Sequence, residues 1–185
     1  MVFLTTLWMP IVLSAIFVFI ASSIMHMILP YHRSDYRKLP DEEKLLGVLR
    51  GAGLTRGLYI FPFHTHKDMN TPAAIERYKQ GPVGMMTVLP SGPPVMPKFL
   101  ALWFGYCLVV AFFVAYLAWH TVASGASYLV VFRVVGTAAF LAYGLGHLSD
   151  AIWKGQTWSA TIKEVFDGLV FGLVTAGTFG WLWPR

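Results

Sequence analysis

The sequence predicts an all-α integral membrane protein: four transmembrane helices with a small structured cytoplasmic cap between helices 1 and 2. Three observations carry this. The 185-residue chain is 56% hydrophobic and only 12% charged, a balance foreign to water-soluble domains. Its uncharged runs can cross about 30 Å of hydrocarbon, which takes roughly 20 helical residues; Met1–Met25 and Phe99–Phe132 hold no charged side chain. The charges gather instead between Pro30 and Lys98, where ten of the 14 Lys and Arg and six of the nine Asp and Glu are found. The expected organisation is transmembrane helix 1 over residues 1–29, the inner-side cap over 30–98, and a three-helix region over 99–185.

The first span is expected over Phe3–Leu29, with Pro10 near its start. It lacks the positive flank and small-residue cleavage site of a secretory leader, so the sequence predicts a retained anchor. Within the cap, Pro40 followed by Asp41, Glu42 and Glu43 opens a short helix with Leu45, Leu46 and Leu49 on one face, stopping at Gly51. Leu58–Phe63 and Val83–Leu89 read as extended runs, and Thr71 with Pro72 starts a second short helix that ends at Gly81. Pro90, Pro93, Pro94 and Pro97 form a stiff lead into the second span, about 99–121. Ala123–Ser127 is too short for anything but a turn, so the third span, about 128–149, lies antiparallel beside the second. The fourth is expected over about 161–183, opened by Thr161 and Glu164 at capping-box spacing.

The positive-inside rule orients these spans. The 30–98 segment, with Lys154 and Lys163 in the connection between spans three and four, outweighs Arg185 on the opposite side. Both termini are therefore expected outside an inner or plasma membrane, with 30–98 cytoplasmic. Trp8, Trp119, Tyr128, Trp181 and Trp183 then mark the outer interface, and Trp103, Trp153 and Trp158 the inner one. The calculated pI of about 9.4 reflects this topology. The cap mixes both signs without a long block of either, which argues against nucleic acid as a partner.

Ionisable groups within spans are costly enough to single out. Arg133, Gly136, Thr137, Phe140, Tyr143, Gly144, His147 and Asp150 recur at three- and four-residue spacing in span three. That spacing predicts one protein-facing stripe. Arg133 is expected to snorkel to the outer headgroups. In span four, Gly168, Gly172, Ala176 and Gly180 repeat every four residues, a small-residue face for close helix packing within the bundle or with a partner. Asp167 and Glu164 beside it are expected to pair at the inner rim with Lys154 and Lys163.

His26 and His147 fall at similar depth on spans one and three, and two neutral imidazoles there could ligate a b-type haem. A softer set, Met25, His26, Met27, Met69, Met85, Met86 and Met96 with His64 and His66, has donors suited to copper. His64 and His66 lack the further ligands that zinc requires. Cys107 has no histidine nearby in sequence to activate it, and no glycine-rich phosphate loop occurs. The stretch Pro30–Tyr36, which reads Pro-Tyr-His-Arg-Ser-Asp-Tyr, is distinctive in composition without a chemical assignment. The expected function is a non-catalytic structural or accessory subunit of a larger membrane complex, surrounded by lipid and bound to membrane-protein partners or copies of itself. The alternatives are a haem- or copper-binding redox protein and a small transporter.

Overall fold

The computed structural model describes residues 2–185. They form two compact units, one of residues 2–36 and 95–185 and the other of residues 37–94.

The first unit is a helical bundle. Helix α1 (Val2–Ser23) runs into a π-helical turn, Ile24–Ile28, closed by the bond from Leu29 N–H to the Ile24 carbonyl at 3.0 Å. Leu29 is extended, as the residue before a proline prefers, and Pro30 begins a 3₁₀ turn, Pro30–Asp35. The long helices that follow in this unit are α4 (Met96–Thr121), α5 (Tyr128–Tyr143) and α7 (Trp158–Leu182), with the short α6 (Leu148–Lys154) between the last two. Four helical stretches are long and apolar enough to cross a membrane: Val2–Ile28, Met96–Thr121, Tyr128–Lys154 and Trp158–Leu182.

Three boundaries differ from the sequence reading. Both α4 and α7 start three residues early. In α7 the reason is that Thr157, not Thr161, caps the helix, its hydroxyl accepting from Ala160 N–H at 3.4 Å. Thr161 is instead buried, and its hydroxyl has no partner. The third span continues to Lys154, but a 3₁₀ turn at Leu145–His147 interrupts it after Gly144, and Gly155 ends it at φ 71°.

The bundle is square, α1 packing on α4 and α7, and α5 on the same two. Small and β-branched residues fill much of its axis, including Val18, Ala111, Ala115, Val131, Val135, Ala139 and Ala176, together with the larger Leu7 and Phe179. Polar ties join the staves. The Trp103 indole donates to Ser22 Oγ at 2.8 Å, and the Tyr106 hydroxyl to the Ala142 carbonyl at 2.9 Å. At the end that holds the C-terminus, the Trp183 indole donates to the Ala123 carbonyl and Gly125 N–H to the Pro184 carbonyl, both at 2.9 Å.

The second unit departs from an all-α plan. Helices α2 (Glu42–Gly51) and α3 (Pro72–Gln80) accompany an antiparallel pair, β1 (Gly57–Phe61) and β2 (Gly84–Val88), in register Gly57↔Val88 to Phe61↔Gly84. The Thr71 hydroxyl caps α3 by accepting from Ala74 N–H at 3.3 Å.

Candidate functional site

At the end of the bundle where α1 gives way to the 3₁₀ turn, polar side chains converge on Asp167 of α7. Asp167 is only 2% exposed. A carboxylate so enclosed requires donors, because an unpaired buried charge costs several kcal/mol. The Tyr31 hydroxyl donates to its Oδ1, and His32 Nε2 lies 2.7 Å from its Oδ2. The other ring nitrogen of His32, Nδ1, is 2.8 Å from Asp35 Oδ2. Asp35 in turn accepts from Lys163 Nζ at 2.5 Å, and the same ammonium donates to the Tyr31 carbonyl at 2.7 Å and to Ser34 Oγ at 2.8 Å. The result is a chain of alternating groups, Lys163, Asp35, His32 and Asp167. His32 thus bridges the two carboxylates through its two ring nitrogens.

Local geometry explains how a contiguous stretch meets α7. The three-residue spacing of His32 and Asp35 closes within one 3₁₀ turn, where i and i+3 eclipse. On α7, Lys163 and Asp167 are one turn apart on one face, so the turn straddles them. Burial and the bond to Asp167 push the Tyr31 phenol well above its ordinary value. The bond from Lys163 holds the Asp35 carboxyl below its ordinary value, with His32 acting in the same direction.

His26, on the π turn, completes the group. Its Nε2 is 3.5 Å from Asp167 Oδ2, its Nδ1 is 3.2 Å from the Ser22 carbonyl, and its ring stacks on that of His32 at 4.5 Å between centroids. A cavity of about 500 Å³ opens beside these rings, lined among others by His26, His32, Asp35, Tyr36, Gln156 and Glu164.

Other predicted residues lie elsewhere. His147 Nδ1 faces Glu164 at 3.2 Å, and Glu164 also accepts from Gln156 at 2.9 Å. His26 and His147 thus address different carboxylates on α7, and His147 stands outside the set of His26, His32 and Asp167 whose ligand atoms lie within 4.8 Å of one another. Asp150 bonds Lys154 at 2.6 Å on its own helix. The expected pairing of Asp167 with lysine is replaced by histidine and tyrosine, and Lys163 turns to Asp35. The protein-facing stripe of span three is corrected in part: Tyr143 and Gly144 are buried, and Gly136 and Phe140 face α7, whereas Arg133 and Thr137 are exposed and Val131, Val135 and Ala139 are buried in their place.

The small-residue face of α7 packs against α5. A methyl at Gly172 would lie 3.1 Å from Phe140 N, one at Gly136 would lie 3.1 Å from Ala176 Cβ, and one at Gly168 would fall on the Gly144 backbone. Gly180 meets the Tyr128 ring. Of the softer donors, Met25 is buried while Met27 is 68% exposed, and His64 packs on Tyr78. No protein-family model, curated protein or solved structure matches the chain.

Proposed function

We propose that this chain is a non-catalytic integral membrane protein that serves as a structural or accessory subunit of a larger membrane complex. It sits in the inner or plasma membrane with both termini outside and residues 30–98 in the cytoplasm, an orientation supported by the placement of Lys and Arg.

The observation that carries the subunit reading is the composition of the 37–94 unit. Only Ala74 is buried within it, while Leu45, Leu46, Val48, Leu58, Ile60 and Phe63 are exposed. A segment of this size folds with a small core at best, and an isolated two-stranded sheet is marginal in water. Its apolar side chains therefore need a covering surface. The outer edges of β1 and β2 also offer unpaired backbone groups to another chain. Anionic lipid would call for a basic face; here Asp41, Glu42 and Glu43 begin the same helix that carries Leu45 and Leu46. A protein partner suits that mixture better. The small-residue face of α7 is already occupied by α5, so association falls to this unit.

Purification from native membranes in mild detergent tests the proposal. The chain is expected to migrate with partner proteins, and the double variant Leu45→Asp, Ile60→Asp is expected to migrate alone with an unchanged helical circular-dichroism melt. A native chain that migrates strictly as a monomer with nothing bound overturns the reading.

A further inference from the structure

We propose that His26, His32 and Asp167 form a binding site for a divalent first-row transition-metal ion, with Asp35 and Tyr31 as the supporting shell. The argument begins from hydrogen-bond direction. A backbone carbonyl can only accept, so the 3.2 Å contact between His26 Nδ1 and the Ser22 carbonyl places a hydrogen on Nδ1. In the neutral ring this leaves a lone pair on Nε2, the atom that faces Asp167 Oδ2 at 3.5 Å. The Asp35 carboxylate fixes His32 in the same sense, with Nδ1 donating at 2.8 Å and Nε2 directed at the same oxygen of Asp167 at 2.7 Å. Two imidazole lone pairs and a carboxylate oxygen are thereby aimed at one region. The three ligand atoms lie within 4.8 Å of one another.

The two rings stack with centroids 4.5 Å apart beside that carboxylate. A single divalent cation serves all three acceptors and leaves both rings neutral. The outer groups match what metal-binding histidines use: a carboxylate on one Nδ1–H and a backbone carbonyl on the other. Asp35 is itself anchored by Lys163 at 2.5 Å, and Tyr31 holds the second oxygen of Asp167. Two imidazoles and one carboxylate, with no thiolate or thioether, select borderline ions such as Zn(II), Co(II) or Fe(II) over Cu(I), Ca(II) or Mg(II). Two of the three ligands, His26 and His32, line the cavity of about 500 Å³.

Binding also demands a movement. A metal lies in the plane of each imidazole that ligates it, and the two rings are stacked with their planes only 15° apart, so one ion cannot occupy both planes. His32 is held at both nitrogens, whereas the His26 side chain is 50% exposed. His26 is therefore the ligand that swings out of the stack as the ion enters.

The full chain, purified in detergent with a tag free of histidine, is titrated with Co(II) and followed by visible absorption and calorimetry. One ion per chain is expected, with d–d bands that Zn(II) abolishes by displacement. His26→Ala, at the half-exposed position, should weaken binding at least tenfold without shifting the metal-free melt. Asp35→Asn should weaken it about 10- to 100-fold, the range typical of outer-shell partners. His32→Ala should abolish the bands; it is scored only where the metal-free circular-dichroism spectrum matches the native one. Absence of Co(II) bands and of Zn(II) heat in the native chain overturns the proposal. So does native affinity in His26→Ala, whose folding is independently checked by the melt.

Discussion

At the scale of single residues, the cluster around Asp167 decides how the end of the bundle responds to mutation and to acid. Tyr31→Phe removes one donor to a buried carboxylate and keeps the ring, so it should cost about 2 kcal/mol. Asp167→Ala leaves a tyrosine hydroxyl and a histidine without their shared acceptor, and should cost about 3–5 kcal/mol. Chemical denaturation in a fixed detergent, scored by the difference between the two variants, checks the order. Asp35 adds a pH dependence. Its carboxyl is held below the ordinary value of 3.8 by Lys163. The stabilisation is therefore complete above about pH 4 and disappears as pH falls through the lower, folded value. A melting-temperature profile should show an acid limb in the native chain that is flatter in Asp35→Asn; identical limbs would place the acid response elsewhere. Little of this cluster is legible from sequence, because His32 and Asp167 are 135 residues apart. The local signal that exists is the three-residue spacing of His32 and Asp35, one turn's reach, set between an apolar run and a charged segment.

Among elements, the pairing of α5 with α7 is the tightest, and its glycines differ in what they tolerate. A methyl at Gly168 meets the main chain of Gly144, which cannot yield without moving a helix; one at Gly180 meets the Tyr128 ring at 2.7 Å, which can rotate. Gly168→Ala should therefore destabilise by about 2–3 kcal/mol and Gly180→Ala by less than about 1 kcal/mol, although alanine is the better helix former at both. Thermal scans of both variants beside Leu169→Ala, an exposed control on the same helix, test this. The small-residue period is plain in the sequence, but its partner is not, since four-residue spacing describes one helix and says nothing of which neighbour comes close. The break after Gly144 was hidden for the same reason: Gly168 presses on that segment from another helix. The misplaced start of α7 has a local cause. Thr157 and Thr161 both stand one turn apart before the apolar run, and burial of Thr161, a tertiary effect, leaves the capping to Thr157. Arg133 and Thr137 joined a stripe by spacing alone, and on that part of the helix the adjacent Val131, Val135 and Ala139 turn inward instead.

Across the whole molecule, charge asymmetry leads to an experiment on orientation. Cysteine placed at the exposed Ser91, with Cys107 replaced by Ser, should resist an impermeant thiol reagent on intact cells and react once the membrane is opened. Labelling of intact cells would reverse the topology and put both termini inside. The four long apolar helices were legible because long runs nearly free of charge are a property of composition, whereas the two compact units depend on pairings such as Gly57↔Val88 that no single stretch contains. The ties at Trp183 and Pro184 have a mechanical meaning. Lipid tails give parallel helices little reason to stay gathered at their ends, so splaying is the natural failure of a slender bundle. Here the Lys163–Asp35–His32–Asp167 chain binds one rim, and the indole of Trp183 with the backbone of Gly125 binds the other. The first fastens the turn after α1 to α7 and the second fastens α7 to the α4–α5 connection, so α7 is clamped at both ends and can swing out only when one of the two sets is broken.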